Sequence, residues 1–134
     1  MSKQCLDVQQ MQHLQELGME LKESMMTWQL RTDGKYSLIP TIASKREVIT
    51  IPAYTLQDVL DALPNIVLDE EGTKYYLQIE QMNSEFDDWR VSYKGFVQKE
   101  SPLGSFQSFQ LIDAAVRMLV LCYEQGYVET NKNE

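Results

Sequence analysis

The sequence predicts a single α+β domain in which an antiparallel sheet packs against a long, apolar C-terminal helix. Three observations support this fold class: two segments with capping residues and helical apolar spacing, several short stretches of alternating polar and apolar residues, and a strongly apolar helical segment near the end. Their order along the chain is α-β-β-β-α-β-β-α. A length of 134 residues fits one domain, which we expect to span residues 1–128, followed by a polar tail over residues 129–134.

The first helix is predicted from its capping residues. Asp7 is expected to cap its N-terminus, and Gln10, three positions later, completes a capping box. Met11 and Leu14 give the helix an apolar side, and Gly18 is expected to end it in the left-handed conformation.

A hairpin is predicted next, because polar and apolar residues alternate over residues 25–31 and again over residues 35–39. A two-residue Asp-Gly turn would pair Leu30 with Ser37 and so mix a polar and an apolar residue on one face. A three-residue loop instead pairs Leu30 with Tyr36, and we therefore expect the three-residue loop.

A short strand and a second helix are predicted in the middle of the chain. The β-branched residues over 47–51 favour a strand, which Pro52 is expected to close. Thr55 is expected to cap the second helix, with Asp58 at its third position and Pro64 preventing its extension.

The clearest hairpin joins a strand over residues 74–82 to a strand over residues 89–96. Alternation places six apolar residues on its buried face, namely Tyr75, Leu77, Ile79, Trp89, Val91 and Tyr93. The other face is expected to be charge-complementary and exposed to solvent, with Tyr76, Gln78 and Glu80 opposite Arg90, Ser92 and Lys94.

The last helix is predicted from about residue 108 to residue 125, where apolar residues cover well over half of the circumference. Its narrow polar side contains Asp113 and Arg117 at the i, i+4 spacing of an ion pair, and Gly126 is expected to end it. A helix with so much apolar surface lies in a core or at a subunit interface, so we expect the chain to form a homodimer.

The acidic composition disfavours nucleic acid as a partner. The chain has 20 acidic and 12 basic residues, which give it a net charge of −8. Such a charge repels nucleic acid and anionic membranes, and Lys45 and Arg46 are the only adjacent cations. We therefore expect no nucleic-acid partner.

No targeting or membrane segment is expected. The start of the chain lacks an apolar signal region, and the longest apolar run, residues 118–123, is far shorter than the ~20 residues of a membrane span. Cys5 and Cys122 do not suggest a disulfide framework, so we expect reduced thiols in a cytoplasmic protein.

No catalytic, cofactor-binding or metal-binding residue is predicted. His13 is the only histidine and has neither a partner base nor a motif around it, so we expect it to be solvated. The sequence contains no phosphate-binding glycine loop and no nucleophile elbow. Residues 83–88 offer oxygen ligands at alternate positions, but Asp88 stands where a calcium loop needs glycine and Lys94 where it needs glutamate.

Three classes of function remain. The first is a non-enzymatic protein that binds another protein, for which the candidate contact residues are Phe106, Phe109, Met25 and Met26. The second is an acidic mimic of nucleic acid that blocks a host DNA-binding or defence protein, with the candidate carboxylates Asp58, Asp61, Asp69, Glu70, Glu71, Glu85, Asp87 and Asp88. The third is a carboxylate-based enzyme, which requires two acids converging in a cleft with a raised pKa.

Several short stretches are distinctive when they are taken together. They are residues 11–18 (MQHLQELG) with Ser24 and Met25, residues 55–60 (TLQDVL), 76–79 (YLQI), 89–93 (WRVSY), 111–115 (LIDAA) and 124–127 (EQGY). In these stretches the chain resembles small proteins encoded by prophages and other mobile elements of gut anaerobic bacteria. The resemblance implies a cytoplasmic, phage-linked accessory protein, and it assigns no functional residue because such proteins have no known active site.

Overall fold

In the part of the chain that the structure describes, two antiparallel sheets and three α-helices make up the α+β fold. The computed structural model describes residues 3–44, 48–82, 88–95 and 103–127. In chain order its elements are α1 (Val8–Glu16), β1 (Met26–Leu30), β2 (Tyr36–Pro40), a short 3₁₀ helix (Thr41–Ala43), β3 (Thr50–Ala53), α2 (Leu56–Ala62), β4 (Ile66–Leu68), β5 (Lys74–Gln81), β6 (Trp89–Lys94), β7 (Ser105–Ser108) and α3 (Leu111–Glu124). The predicted element order is confirmed, and two further short strands, β4 and β7, flank the second hairpin.

The described strands divide into two sheets. The first has the order β2-β1-β3 and the second the order β4-β5-β6-β7, and every pairing is antiparallel. The C-terminal helix α3 packs on β6 and β7 of the second sheet and also against α2, while α1 lies against β3. Helix α3 therefore connects the second sheet to the helical part of the molecule.

Both ends of α1 have the predicted structure. The Gln10 amide donates to Asp7 Oδ1 at 2.8 Å, and the Asp7 amide donates to Gln10 Oε1 at 3.0 Å, which completes the capping box. At the other end Gly18 has a φ of 100°, and the Met19 amide donates to Leu14 O at 3.1 Å. This hydrogen bond is the signature of a Schellman ending, in which a glycine adopts the left-handed conformation.

The first hairpin has the register that the three-residue loop requires. Leu30 pairs with Tyr36 and Trp28 pairs with Leu38, as the alternation of polar and apolar residues predicts. The strand pairing is therefore the one that the three-residue loop favours.

The prediction that Pro52 closes the third strand was wrong, because Pro52 lies inside β3 and pairs with Thr27. The Leu30 amide donates to Ile49 O at 2.9 Å. Since hydrogen-bonded and non-hydrogen-bonded pairs alternate along an antiparallel ladder, Pro52 occupies a non-hydrogen-bonded position. Its nitrogen faces the free edge of the sheet, where a missing N–H leaves no partner unsatisfied.

Helix α2 begins with a second capping box. The Asp58 amide donates to Thr55 Oγ1 at 3.3 Å, and the Thr55 amide donates to Asp58 Oδ2 at 2.9 Å. The last helical residue is Ala62 and Leu63 is the C-cap, so the helix does not extend past Pro64, as predicted.

The second hairpin has its predicted apolar face, on which Leu77 lies opposite Tyr93 and Ile79 opposite Val91. One residue of the face that was expected to meet solvent is buried, namely Ser92. Strand β6 lies between β5 and β7, so Gln78 and Ser105 flank this small side chain on both sides and cover it.

Helix α3 starts later than predicted, because Ser108 belongs to β7 and the first helical residue is Leu111. Its C-terminal end agrees with the prediction. Gly126 has a φ of 81°, and the Tyr127 amide donates to Cys122 O at 2.8 Å in a second Schellman ending.

The segment before α1 is hydrogen-bonded to three other parts of the molecule. Leu6 is fully buried, and its amide donates to Tyr54 O at 2.9 Å. Its carbonyl accepts a hydrogen bond from Trp28 Nε1 at 2.8 Å. Lys3, earlier in this segment, contacts the start of α3, because its amide donates to Gln110 Oε1 at 2.9 Å.

The core combines side chains from the N-terminal segment, the helices and the second sheet. The largest fully buried side chains include Tyr75, Tyr93, Leu6, Met11, Leu14, Met118 and Leu119. Each such side chain contributes about 1.5–3 kcal/mol by leaving water. Parts of the chain that are distant in sequence therefore depend on one another for stability.

Candidate functional site

A groove of about 580 Å³ lies between α1 and α3, and β7 contributes Phe106 to its lining. This volume is within the range of about 300–1,000 Å³ that is typical of ligand-binding pockets. The apolar part of the lining consists of Phe106, Val116, Val120 and Leu121. The polar part consists of Asp7, Gln9, Gln10, His13, Arg117 and Glu124.

Helical periodicity explains how each helix faces the groove. On α1, Gln9 and His13 are four residues apart and share one side, while Met11 and Leu14 are buried on another. On α3, residues 116–117, 120–121 and 124 recur at the spacing of a single helical face. The groove therefore lies where the outward side of α3 meets the flank of α1.

Arg117 is the notable charge of the groove. It is exposed, and its guanidinium makes no hydrogen bond or ion pair with any residue in the described ranges. The sequence places Asp113 at the right spacing to pair with it, but Asp113 Oδ1 instead accepts hydrogen bonds from Lys3 Nζ at 2.8 Å and Gln10 Nε2 at 3.1 Å. Arg117 is thus available to an incoming group.

The carboxyl group of Asp113 is held in its charged form. Partial burial opposes ionisation, but the hydrogen bonds from Lys3 and Gln10, together with the positive charges of Lys3 and Arg117, outweigh that effect and lower the pKa of Asp113 below its ordinary value. The pKa of Glu80 is also lowered, by the hydrogen bond that its carboxylate accepts from Lys94 at 2.8 Å. Neither shift is the raised pKa that a general acid requires.

His13 lies at the rim of the groove. Its Nδ1 is 3.9 Å from Glu16 Oε2, and both side chains are largely exposed. An imidazole at this position can donate a hydrogen bond to a ligand in the groove or accept one from it. The sequence prediction of a solvated histidine agrees with its exposure.

The arrangement is suited to recognition by shape and charge. The apolar lining can accept apolar side chains or hydrocarbon groups. Arg117 and Glu124 lie seven residues apart on α3, which places them about 10.5 Å apart along the helix axis. A ligand that follows α3 therefore meets a positive group and then a negative group two helical turns later.

Of the four predicted contact residues, the structure brings only Phe106 to the groove. Phe109 is 62% exposed just before α3, and Met25 is 83% exposed just before β1. Met26 is half-buried at the start of β1, in the other sheet.

Several carboxylates proposed for an acidic mimic are engaged within the fold. Asp58 Oδ2 accepts hydrogen bonds from Ser24 Oγ at 2.6 Å and from both the amide and the hydroxyl of Thr55. Asp88 Oδ2 accepts a hydrogen bond from Gln107 Nε2 at 2.9 Å. These carboxylates stabilise local structure, so fewer remain to imitate phosphates.

Asp69 also has a structural role, because its Oδ1 accepts hydrogen bonds from the Glu71 and Thr73 amides and so closes the turn before β5. Asp61, Glu70 and Glu71 are exposed. Glu85 and Asp87 lie outside the described residues, as does most of the loop over residues 83–88 that was weighed as a calcium site. The common face that a mimic needs stays a prediction.

Both cysteines are free and buried. Burial raises the pKa of Cys122 to about 11. Burial, together with the nearby charge of Asp58, also raises the pKa of Cys5. Because the thiolate is the reactive form of cysteine, neither thiol is activated at neutral pH.

Within the described parts of the chain, no three His, Cys, Asp or Glu side chains are grouped so that they could hold a metal ion. The helices of those parts are also too short or too polar to cross a membrane. Comparison of the chain with family models, with curated proteins and with solved structures gives no significant match.

The groove could not be identified from the sequence. Its lining residues on α3 belong to the same periodic pattern as the core residues, so only the position of α1 shows which of them remain accessible. The available signal was Arg117, one of three charged residues in a mostly apolar helix.

Proposed function

We propose that this chain is a non-enzymatic accessory protein that binds another protein in the groove between α1 and α3. The observation that supports this function best is the combination of an apolar lining with Arg117, an exposed cation without a partner among the described residues. Protein-binding grooves commonly combine apolar contact area with a few charged groups that orient the partner.

The partner segment that fits this groove is an amphipathic helix. A groove between two helices suits apolar side chains spaced i, i+3 or i+4, and i+7 along one side of a third helix. The charges of Arg117 and Glu124 favour a carboxylate on the partner helix and, two turns away, a basic residue. The net charge of −8 additionally accelerates association with a partner whose overall charge is positive.

The biological setting is part of the same proposal. An origin in a phage or mobile element, with action in the cytoplasm, is supported by the resemblance of residues 11–18 and 55–60 and of the later stretches to prophage-encoded proteins. The two free, buried cysteines are compatible with a reducing compartment.

The proposal is tested by Arg117→Glu, which reverses the charge of this side chain without removing a described hydrogen bond or ion pair. Lys35→Glu is the matched control, because it changes the net charge equally at an exposed position in the loop between β1 and β2. Wild type and both variants are used to capture proteins from lysate of cells that produce the chain. We expect one partner to be recovered with wild type and Lys35→Glu but to be reduced at least about tenfold with Arg117→Glu.

The partner's binding segment is then mapped, and its acidic residue is changed to arginine. We expect this change to restore binding to Arg117→Glu. Equal recovery of every captured protein by the two charge variants would contradict the groove as the docking site, as would a groove occupied by a co-purifying small amphipathic molecule.

A further inference from the structure

The outer edge of the second sheet is formed by β4, and its outward side chains are apolar. Ile66 is 44% exposed and Leu68 is 49% exposed, while Val67 between them is buried. Tyr76, which pairs with Ile66, is 37% exposed on the same face. No described strand pairs with the other side of β4, so this edge combines an open backbone with exposed apolar groups.

The backbone of β4 points its free groups outward at two residues. The Leu77 amide donates to Asn65 O at 3.0 Å, and the Asp69 amide donates to the carbonyl of Thr73 at 3.1 Å. Hydrogen-bonded and non-hydrogen-bonded positions alternate along an antiparallel ladder, so the backbone groups of Ile66 and Leu68 face away from β5.

These outward groups complement a second copy of the same strand. If two β4 strands meet antiparallel about a two-fold axis at Val67, Ile66 of each copy lies opposite Leu68 of the other. Both are positions with outward backbone groups, so each of the two equivalent pairs can exchange two hydrogen bonds. In a register shifted towards Pro64, each copy lacks one donor because proline has no N–H.

Strand β4 also lacks the features by which isolated sheet edges avoid pairing. Edge strands of stable monomers usually contain charged residues, prolines or bulges. None is present within Ile66–Leu68, whereas β7 at the opposite edge of the sheet exposes the polar residues Ser105 and Gln107. The two edges of one sheet therefore differ in their capacity for self-association.

Helix α3, from which the sequence predicts a homodimer, offers little surface for one. Arg117 and Glu124 are its exposed residues, and its apolar side chains are buried or half-buried against the second sheet, α2 and the groove. A dimer, if formed through the described residues, requires another surface.

We propose that two copies of this chain associate through β4, antiparallel about Val67, and so join their second sheets into one continuous eight-stranded sheet. The exposed side chains of Ile66, Leu68 and Tyr76 from both copies then form one apolar cluster. Because the added ladder is short and interfaces need much more area for high affinity, the dimer is weak and depends on concentration. This inference does not depend on the groove.

Two measurements on the full chain test the pairing. Light scattering from about 1 µM to about 200 µM is expected to show the mass rising towards twice 15.6 kDa. Over the same range, amide hydrogen exchange at Ile66 and Leu68 is expected to slow about tenfold or more, while exchange at Val67 changes less because its amide already faces β5.

Variants then locate the interface. Ile66→Lys/Leu68→Lys is expected to remain at the monomer mass, whereas Ser105→Lys/Gln107→Lys, with the same added charge at the other edge, dimerises like wild type. If circular dichroism shows that the lysine variant is unfolded, the test is repeated with Ile66→Thr/Leu68→Thr, which keeps strand-forming residues. A monomeric wild type at about 200 µM overturns the proposal, and so does a dimer in which exchange at Ile66 and Leu68 is unchanged.

Discussion

At the scale of single residues, Asp113 joins three parts of the molecule. Its carboxylate, in the first turn of α3, accepts hydrogen bonds from Lys3 in the N-terminal segment and from Gln10 in α1. A carboxylate in the first helical turn is also stabilised by the helix dipole. The residue whose spacing favoured an ion pair with Arg117 thus holds the N-terminal segment against α3, and the Arg117 guanidinium makes no described hydrogen bond or ion pair.

This role predicts a pH-dependent stability. The pKa of Asp113 in the folded protein lies below its ordinary value of 3.8, so its ionised form stabilises the folded state at neutral pH. This contribution is lost as the pH falls through the folded-state pKa. We expect Asp113→Asn to lower the free energy of unfolding by about 1 kcal/mol at about pH 7, and the difference from wild type to shrink below about pH 4.

Urea unfolding at neutral and acidic pH measures this difference. Asp61→Asn is the control, because the carboxylate of Asp61 is exposed and its described hydrogen bond is to Gln57 within its own helix. An Asp113→Asn variant that unfolds like wild type at neutral pH would remove the stabilising role of this carboxylate.

At the scale of elements, the helix ends depend on backbone conformation rather than on space. Gly126 has a φ of 81°, and a Cβ added there meets nothing within 4 Å. We therefore expect Gly126→Ala to lower the free energy of unfolding by about 1 kcal/mol through backbone strain alone. Asparagine tolerates the left-handed conformation better, so Gly126→Asn is expected to cost less in thermal unfolding. Equal melting temperatures for the two variants would contradict this cause.

The elements that could be predicted from the sequence are those fixed by local rules. Asp7 with Gln10, and Thr55 with Asp58, satisfy backbone amides within four residues of themselves, so their helix starts follow from the sequence. The register of the first hairpin follows from a turn and its alternating neighbours, as at Leu30.

The elements that were missed depend on distant partners. Residues 105–108 form β7 only because β6 is beside them, and the helical pattern that follows extends into the same residues. Strand β4 is three residues long and has no alternation that could be distinguished from chance. The groove requires the relative position of two helices, which no local pattern specifies.

At the scale of the whole molecule, Tyr93 connects the second sheet to both neighbouring helices. Its hydroxyl donates to Pro64 O, just after α2, at 2.7 Å and lies 3.9 Å from Cys122 Sγ in α3. Burial raises the pKa of Tyr93 far above its ordinary value, so the hydroxyl keeps its proton.

Tyr93→Phe is expected to lower the free energy of unfolding by about 1–2 kcal/mol, because the ring still fills the core but the Pro64 carbonyl loses its donor. Tyr36→Phe, at a half-buried position in the first sheet, is the control. Chemical unfolding monitored by fluorescence and circular dichroism compares the two variants. If both variants have the wild-type free energy of unfolding, the hydrogen bond from Tyr93 to Pro64 O contributes nothing measurable to stability.

The contacts of the N-terminal segment with α3 also determine when the domain can finish folding. Lys3 and Asp113 are separated by 110 positions in sequence, and Leu6 is buried in the same core as Met118 and Leu119 of α3. Closing such distant contacts slows folding, because the loop entropy is lost before the contacts form. During synthesis the first residues must wait until α3 has left the ribosome. Until then Leu6 and its neighbours stay accessible to chaperones and proteases, so the nascent chain acquires its protection late and in one step.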